Sequence, residues 1–230
     1  YLPPMKSFWS KPYQLIIFDN YPVKKLSLKT QRIISKKIGA EKSSLLWLLG
    51  GSVTEKSAIS IIPFFHLRIK DQIQPSEKTL WYMTTEALSR SIFQGLEVND
   101  GLDYWKNFPP ILASHNFEST NDEIEAIAYN QGSDIVPLMF LGEKQGIRSA
   151  AWTSPDFATI HHRLSGTDYS KIFPNLWTKL FSWLLKTGGD KKLYFRLNKE
   201  SYQQGEEIFI TGTSIGNKRR SKDQAFITTQ

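Results

Sequence analysis

The sequence predicts an α/β domain, a parallel sheet flanked by helices, followed by the start of an all-β module. Three observations predict it. Between residues 13 and 49 a short apolar run, a basic amphipathic segment and a second apolar run follow one another, the order of a βαβ unit with a right-handed crossover. Both runs are short and continuously apolar rather than alternating, which suits strands buried on two faces. Beyond residue 188 the pattern changes to strand-like runs separated by polar turns.

Tyr13 to Phe18 is the first strand. It ends in Asp19-Asn20, and Asn20-Tyr21-Pro22 signals a turn. Ser27 suits an N-cap, Leu28, Ile33, Ile34 and Ile38 fall at helical spacing, and Gly39 suits the residue after the helix. Ser44 to Leu49 is the second strand, closed by Gly50-Gly51-Ser52. Ile59, Ile61, Ile62, Phe64 and Phe65 form an apolar cluster broken by Pro63, and Gln72 to Lys78 reads as a surface loop. Leu80 to Phe93 is compatible with a helix or with a strand followed by a turn. Asn99-Asp100-Gly101 and Pro109-Pro110 are loop signals, and Ile111 to Ser114 suits a short strand.

Ile124 to Asn130, Val136 to Leu141 and Ile147 to Trp152 are separated by short glycine-containing gaps, which favour antiparallel hairpins. A helix over Asp122 to Asn130 competes, with Thr120 and Glu123 as its capping box. Pro174 to Leu185 reads as a helix with Leu176, Leu180, Trp183 and Leu184 on one face. Lys192 to Leu197 and Glu207 to Gly212 are strand-like, followed by the basic run Lys218 to Lys222 and by Ala225 to Thr228. The expected domains are therefore residues 1–188, α/β, and 189–230, a partial β-sandwich module. A start at Tyr1 suggests a piece of a longer protein.

With 40% hydrophobic and 22% charged residues, the chain is neither disordered nor a coiled coil. Its longest apolar runs fall far short of the roughly 20 residues a membrane-spanning helix needs, so no span is expected in these residues. Cysteine is absent, which excludes a disulfide framework, a thiolate metal site and a cysteine nucleophile. The net charge of +7 permits an acidic partner without requiring one. Lys24, Lys25, Lys29, Arg32, Lys36 and Lys37 decorate one segment, as expected of a solvated face. No recognition motif or aromatic-basic interleaving supports nucleic acid as a partner. Neither phosphate-loop glycine pattern occurs. His66, His115, His161 and His162 lack metal-ligand spacing, so no metal and no cofactor is expected. Trp47, Trp81, Trp105, Trp152, Trp177 and Trp183 suit core packing.

Chemistry in an open α/β sheet gathers beyond the carboxyl ends of its strands. That rule selects Asp19, Gly50, Gly51 and Ser52 as candidate ligand-binding residues. Ser52 stands on a sharp turn, but Thr54 occupies the position where a nucleophile elbow has glycine. Turning the chain is the plainer role for Gly50 and Gly51, and capping the next turn is the plainer role for Asp19. A Ser- or carboxylate-dependent hydrolase with its site near Gly50-Gly51-Ser52 is the competing reading, and Asp19, Glu118, Asp122, Glu123 and Asp156 are the candidate acid-base carboxylates, though sequence brings no two of them together. His115 is a candidate base, with an ordinary loop position as its plainer reading.

Leu15 to Pro22, a helix, then Leu45 to Ser52 resembles the class I glutamine amidotransferase-like fold, a flavodoxin-like parallel sheet. More narrowly, it is similar to a variant found in large membrane-anchored bacterial proteins. Pro137 to Trp152 resembles that variant's hairpin, Leu176 to Leu184 its closing helix, and Leu193 to Thr213 the opening strands of an immunoglobulin-like module that often follows. The resemblance spans roughly residues 13 to 213 and implies a catalytic Cys on the turn after the second strand, with His and Glu after a later one. Here that turn reads Gly50-Gly51-Ser52, and after Ala151-Trp152 no His occurs before His161. The resemblance therefore implies a non-catalytic domain of a membrane-anchored protein, periplasmic or otherwise extracytoplasmic. Its expected role is binding or assembly, its partners other domains of the same polypeptide or of a membrane-associated complex.

Overall fold

A computed structural model describes residues 8, 10–72, 78–93, 96, 102–185, 193–197 and 210–214. Strand β1 (Leu15–Asp19), helix α1 (Leu28–Glu41) and strand β2 (Ser44–Leu48) form the expected unit, with β1 parallel to β2 and Ile16 opposite Leu45. Ser27 caps α1 by accepting the Thr30 N–H. The helix runs through Gly39 and stops at Lys42, which is left-handed (φ 52°). Lys37 explains the extra turn. It is buried on the inner face of α1, where its ammonium donates to the Lys11 carbonyl (2.6 Å) and pairs with Glu41 one turn on.

A short helix α2 (Glu55–Ala58) and a 3-10 turn over Ile62–Phe65 lead into β3 (Leu67–Gln72). The segment from Leu80 to Phe93 holds strand β4 (Trp81–Met83), helix α3 (Thr85–Leu88) and a 3-10 turn over Ser91–Phe93. It is followed by α4 (Leu102–Trp105). Ile111 makes only a bridge to Thr79, so the strand expected at Ile111 to Ser114 begins instead at His115, in β5 (His115–Ser119).

Then come β6 (Ile124–Asn130), β7 (Pro137–Lys144) and β8 (Ile147–Trp152), joined as hairpins. The competing helix over Asp122 to Asn130 does not form, because Thr120 is held elsewhere. Its N–H and hydroxyl both donate to the His66 carbonyl (2.8 and 3.0 Å). The tight β7–β8 turn places Gln145 and Gly146 at φ 52° and 77°, the geometry of a type I′ hairpin.

Helices α5 (Phe157–Leu164) and α6 (Ile172–Leu184) follow, then β9 (Leu193–Leu197), antiparallel to β10 (Ile210–Ser214). The boundary near Gly188, the basic run Lys218 to Lys222 and Ala225 to Thr228 lie outside the described residues.

The main sheet has the order β1-β2-β8-β7-β6-β4, and β3 pairs with β5 in a separate ribbon. The fold is α/β, a multi-stranded sheet flanked by helices. The expected parallel sheet extends over β1, β2 and β8 only, and the antiparallel hairpins expected between residues 124 and 152 continue it through β7 and β6 to β4. Gaps of two to six residues between β6, β7 and β8 are too short for a crossover, which takes a dozen residues or more.

Each face of the sheet carries its own core. On one, α1, α2 and the β3–β5 ribbon, which contributes Phe117, cover Phe18, Leu45, Trp47 and Phe140. On the other, α5 and α6, the latter through Leu176 and Leu180, pack in one cluster with Leu46, Trp81 and Trp152. Trp81 is the hub of an aromatic cluster, 5.0 Å from Trp105, 5.4 Å from Trp152 and 5.6 Å from Phe108. All six tryptophans read as core residues are buried.

Gly142 lets β6 and β7 approach closely. A β-carbon there would lie 2.1 Å from the Glu123 carbonyl oxygen, a backbone atom that cannot step aside. Gly142→Ala is therefore expected to lower the urea unfolding free energy by about 2 kcal/mol or more. A loss below about 0.5 kcal/mol would show that the sheet accommodates the methyl group.

Candidate functional site

The carboxyl ends of β1, β2 and β8 open together at one edge of the sheet, and their exit loops build a polar shelf there. Asn20 leaves β1 in the left-handed region (φ 45°), and its N–H donates to the Leu48 carbonyl (2.9 Å). This aims its carboxamide at the next loop. The Ser52 N–H donates to Asn20 Oδ1 (3.0 Å), and Asn20 Nδ2 donates to Ser52 Oγ (3.2 Å). Gly50 is required beneath this clasp, since a β-carbon there would sit 2.2 Å from Asn20 Oδ1. Thr54 ends the loop by capping α2 in a reciprocal box with Ser57.

The exit of β8 is tied down on the same edge. Thr153 donates from its N–H to the Leu138 carbonyl (2.8 Å) and from its hydroxyl to the Pro137 carbonyl (3.1 Å). Asp156 accepts the Leu112 N–H (2.8 Å) on one oxygen and the Lys78 ammonium (2.9 Å) on the other. The carboxylate at the start of α5 therefore latches the 109–112 loop and serves structure.

The sequence-selected residues are thus placed as follows. Gly50 and Ser52 meet in one clasp, and Gly51 is exposed with open space around it. Asp19 is exposed at the end of β1, while Asn20 organises the turn. Glu118 pairs with Arg68 on the β3–β5 ribbon, away from Asp156. Among the described residues no three His, Asp or Glu side chains gather as a metal site. His161 and His162 are exposed on α5. Sequence reasoning missed Asn20. Its signal was an asparagine directly before Tyr-Pro at a strand end, a residue type that tolerates positive φ.

His115 begins β5 with Nδ1 3.0 Å from Ser114 Oγ. Burial pulls its pKa below the ordinary imidazole value, and Glu55, near the start of α2, pulls weakly the other way. His66 is shifted in the same direction, first by burial and then by Lys144.

On the opposite face of the same edge lies an apolar groove of about 380 Å³, lined by Leu48, Phe157, His161, Phe173, Trp177 and Phe181. The end of β2 thus separates two surfaces, an amide-and-hydroxyl shelf on one side and an aromatic groove on the other.

No protein-family model matches the chain, and no curated protein matches it. Among solved structures, the chain is similar to cytoplasmic protein STM3548 from Salmonella typhimurium, with 15% identity over 83% of this chain and 77% of that one, at a TM-score of 0.52. It is also similar to cytoplasmic protein STM1381 from Salmonella typhimurium LT2, with 14% identity over 77% of this chain and 76% of that one, at 0.50. At such identities the likeness shows the fold alone. Both neighbours are described as cytoplasmic, which points away from the periplasmic or extracytoplasmic setting expected from the sequence and corrects it. Among the described residues no helix is long and apolar enough to cross a membrane.

Two outcomes follow from this geometry. Asn20→Ala, which keeps the positive φ but loses the clasp, is expected to cost about 1–2 kcal/mol in urea unfolding, and Asn20→Gly to recover part of it. Equal losses for the two would place Asn20 outside the left-handed region. A histidine whose folded pKa lies below its unfolded value stabilises fully above the unfolded value, and that stability is lost as pH falls through it. The urea midpoint of the wild type should therefore drop more between pH 7.5 and 5.5 than that of His115→Gln. Parallel profiles would remove His115 from the linkage.

Proposed function

We propose that this chain is a non-catalytic, amidotransferase-like α/β domain of flavodoxin-like design that binds or assembles through the carboxyl edge of β1, β2 and β8. One observation carries the reading. At the turn where the resemblance implies a thiol, the Ser52 hydroxyl accepts from the Asn20 carboxamide (3.2 Å), and Asn20 is the only side chain bonded to it among the described residues. A carboxamide takes no proton at neutral pH, so among the described residues no base is bonded to the hydroxyl to activate it. The shelf instead offers an amide, a hydroxyl and open backbone, groups that orient a polar ligand. The groove beside it would accept an apolar portion. The antiparallel β9–β10 pair supports an immunoglobulin-like continuation after the α/β domain.

Incubation with glutamine tests the reading through ammonia release. No release above the protein-free blank is expected, and turnover abolished by Ser52→Ala would overturn the proposal.

The hydrolase reading keeps one supporting observation, and it is not at Ser52. The Ser114 hydroxyl lies 3.0 Å from a half-buried imidazole whose pKa burial lowers and Glu55 raises in part. A p-nitrophenyl acetate assay separates the two readings. Hydrolysis lost equally in Ser114→Ala and His115→Gln would favour the enzyme.

A further inference from the structure

One short segment of this chain is strongly basic. Residues 23–42 hold seven basic residues and one acidic, a net +6 of the chain's +7. The concentration works against the helix that carries it. Lys24 and Lys25 precede the N-terminus of α1 and Lys29 lies in its first turn, where the macrodipole is positive and no acidic residue compensates. Arg32 and Lys36 follow as a like-charged pair four residues apart. Lys24, Lys25, Lys29, Arg32 and Lys36 are exposed, and none forms an ion pair among the described residues. The buried face of α1 is the opposite one, with Ile34, Lys37 and Ile38.

A second observation adds to the first. Five large hydrophobic residues are notably exposed among the described residues, and three of them flank this cationic segment. Val23 is 54% exposed, Leu28 70% and Ile59 47%. The Leu26 N–H donates to Ser60 Oγ (3.2 Å) and the Gln31 side chain donates to the Leu26 carbonyl (2.9 Å). These bonds hold the 23–28 segment against the end of α2, so Val23, Leu28 and Ile59 belong to one region, with Lys24, Lys25, Lys29 and exposed Lys56 around them.

We infer that this face docks on an anionic phospholipid surface, with the lysines and Arg32 at the headgroups and Val23, Leu28 and Ile59 entering the acyl boundary. Cations answer the surface potential of an acidic leaflet, and exposed aliphatic side chains gain free energy by leaving water there. A nucleic acid would satisfy the cations but leave the aliphatic side chains in water, since unpaired bases stack on aromatic rings. The inference is independent of the shelf and of whether the domain turns over a substrate.

Co-sedimentation of the full chain with vesicles of phosphatidylcholine, alone or with 30 mol% phosphatidylserine, tests it. Partitioning should rise at least tenfold with the anionic lipid and fall as salt is added. Two variants matched in charge locate the surface. Lys25→Gln/Lys29→Gln should lose about tenfold or more, near the fivefold per cation expected at such a surface. Arg163→Gln/Lys171→Gln, on the α5–α6 side of the sheet, should lose less than twofold. Leu28→Ser/Ile59→Ser should weaken binding at constant charge, with circular dichroism confirming that each variant is folded. Equal binding to both vesicle types, equal losses in the two charge variants, no effect of the serines, or tighter binding to a random 20-base-pair duplex than to the anionic vesicles would each overturn the inference.

Discussion

The burial of β2 on both faces is the constraint around which the rest is arranged. Leu45, Leu46 and Trp47 are fully buried, and each contributes about 2–3 kcal/mol only while something covers it. Covering Leu45 and Trp47 calls for α1 and the β3–β5 ribbon on one side, and covering Leu46 calls for α5 and α6 on the other. The strand's backbone groups also need partners on both edges, and β1 and β8 supply them in parallel. A strand so enclosed has few ways out, and both neighbours must leave the sheet at the same end. The shelf is the product of those shared exits.

The chemistry of the shelf follows from how its loops are closed. Asn20 bonds Leu48 through its backbone and Ser52 through its side chain, so one residue fixes both the turn after β1 and the turn after β2. Gly50 has no side chain because the carboxamide fills that space. The groups satisfied in this way are neutral. On the β8 side the carboxylate of Asp156 is engaged by a backbone N–H and a lysine. What the edge offers to solvent is hydrogen-bonding capacity, and among the described residues the one side chain bonded to the Ser52 hydroxyl is a carboxamide.

The two faces of the molecule present different surfaces. The α5–α6 face is built on aromatic packing and presents an apolar groove, whereas the α1 face presents cations that the helix dipole disfavours. That arrangement places a strongly basic, partly aliphatic surface on one side of the sheet.

The β1-α1-β2 unit, the three hairpin strands from Ile124 to Trp152 and the helix near Pro174 to Leu185 were legible in the sequence. Each is specified by local pattern: apolar runs, helical period, an N-capping serine, a Gln-Gly turn. The absence of cysteine was equally legible and decided what the Gly50-Gly51-Ser52 turn lacks. Which strands run parallel was settled only by tertiary pairing, because β8 lies beside β2 across about 100 residues of chain and no local signal reports its neighbour. Gly39 could not reveal that α1 passes through it, since the Lys37–Glu41 pair that prolongs the helix depends on burial against Lys11. The role of Asn20 was likewise hidden. Its carboxamide acts on a residue 32 positions away, and sequence fixes such a contact only through the fold that brings the two loops together.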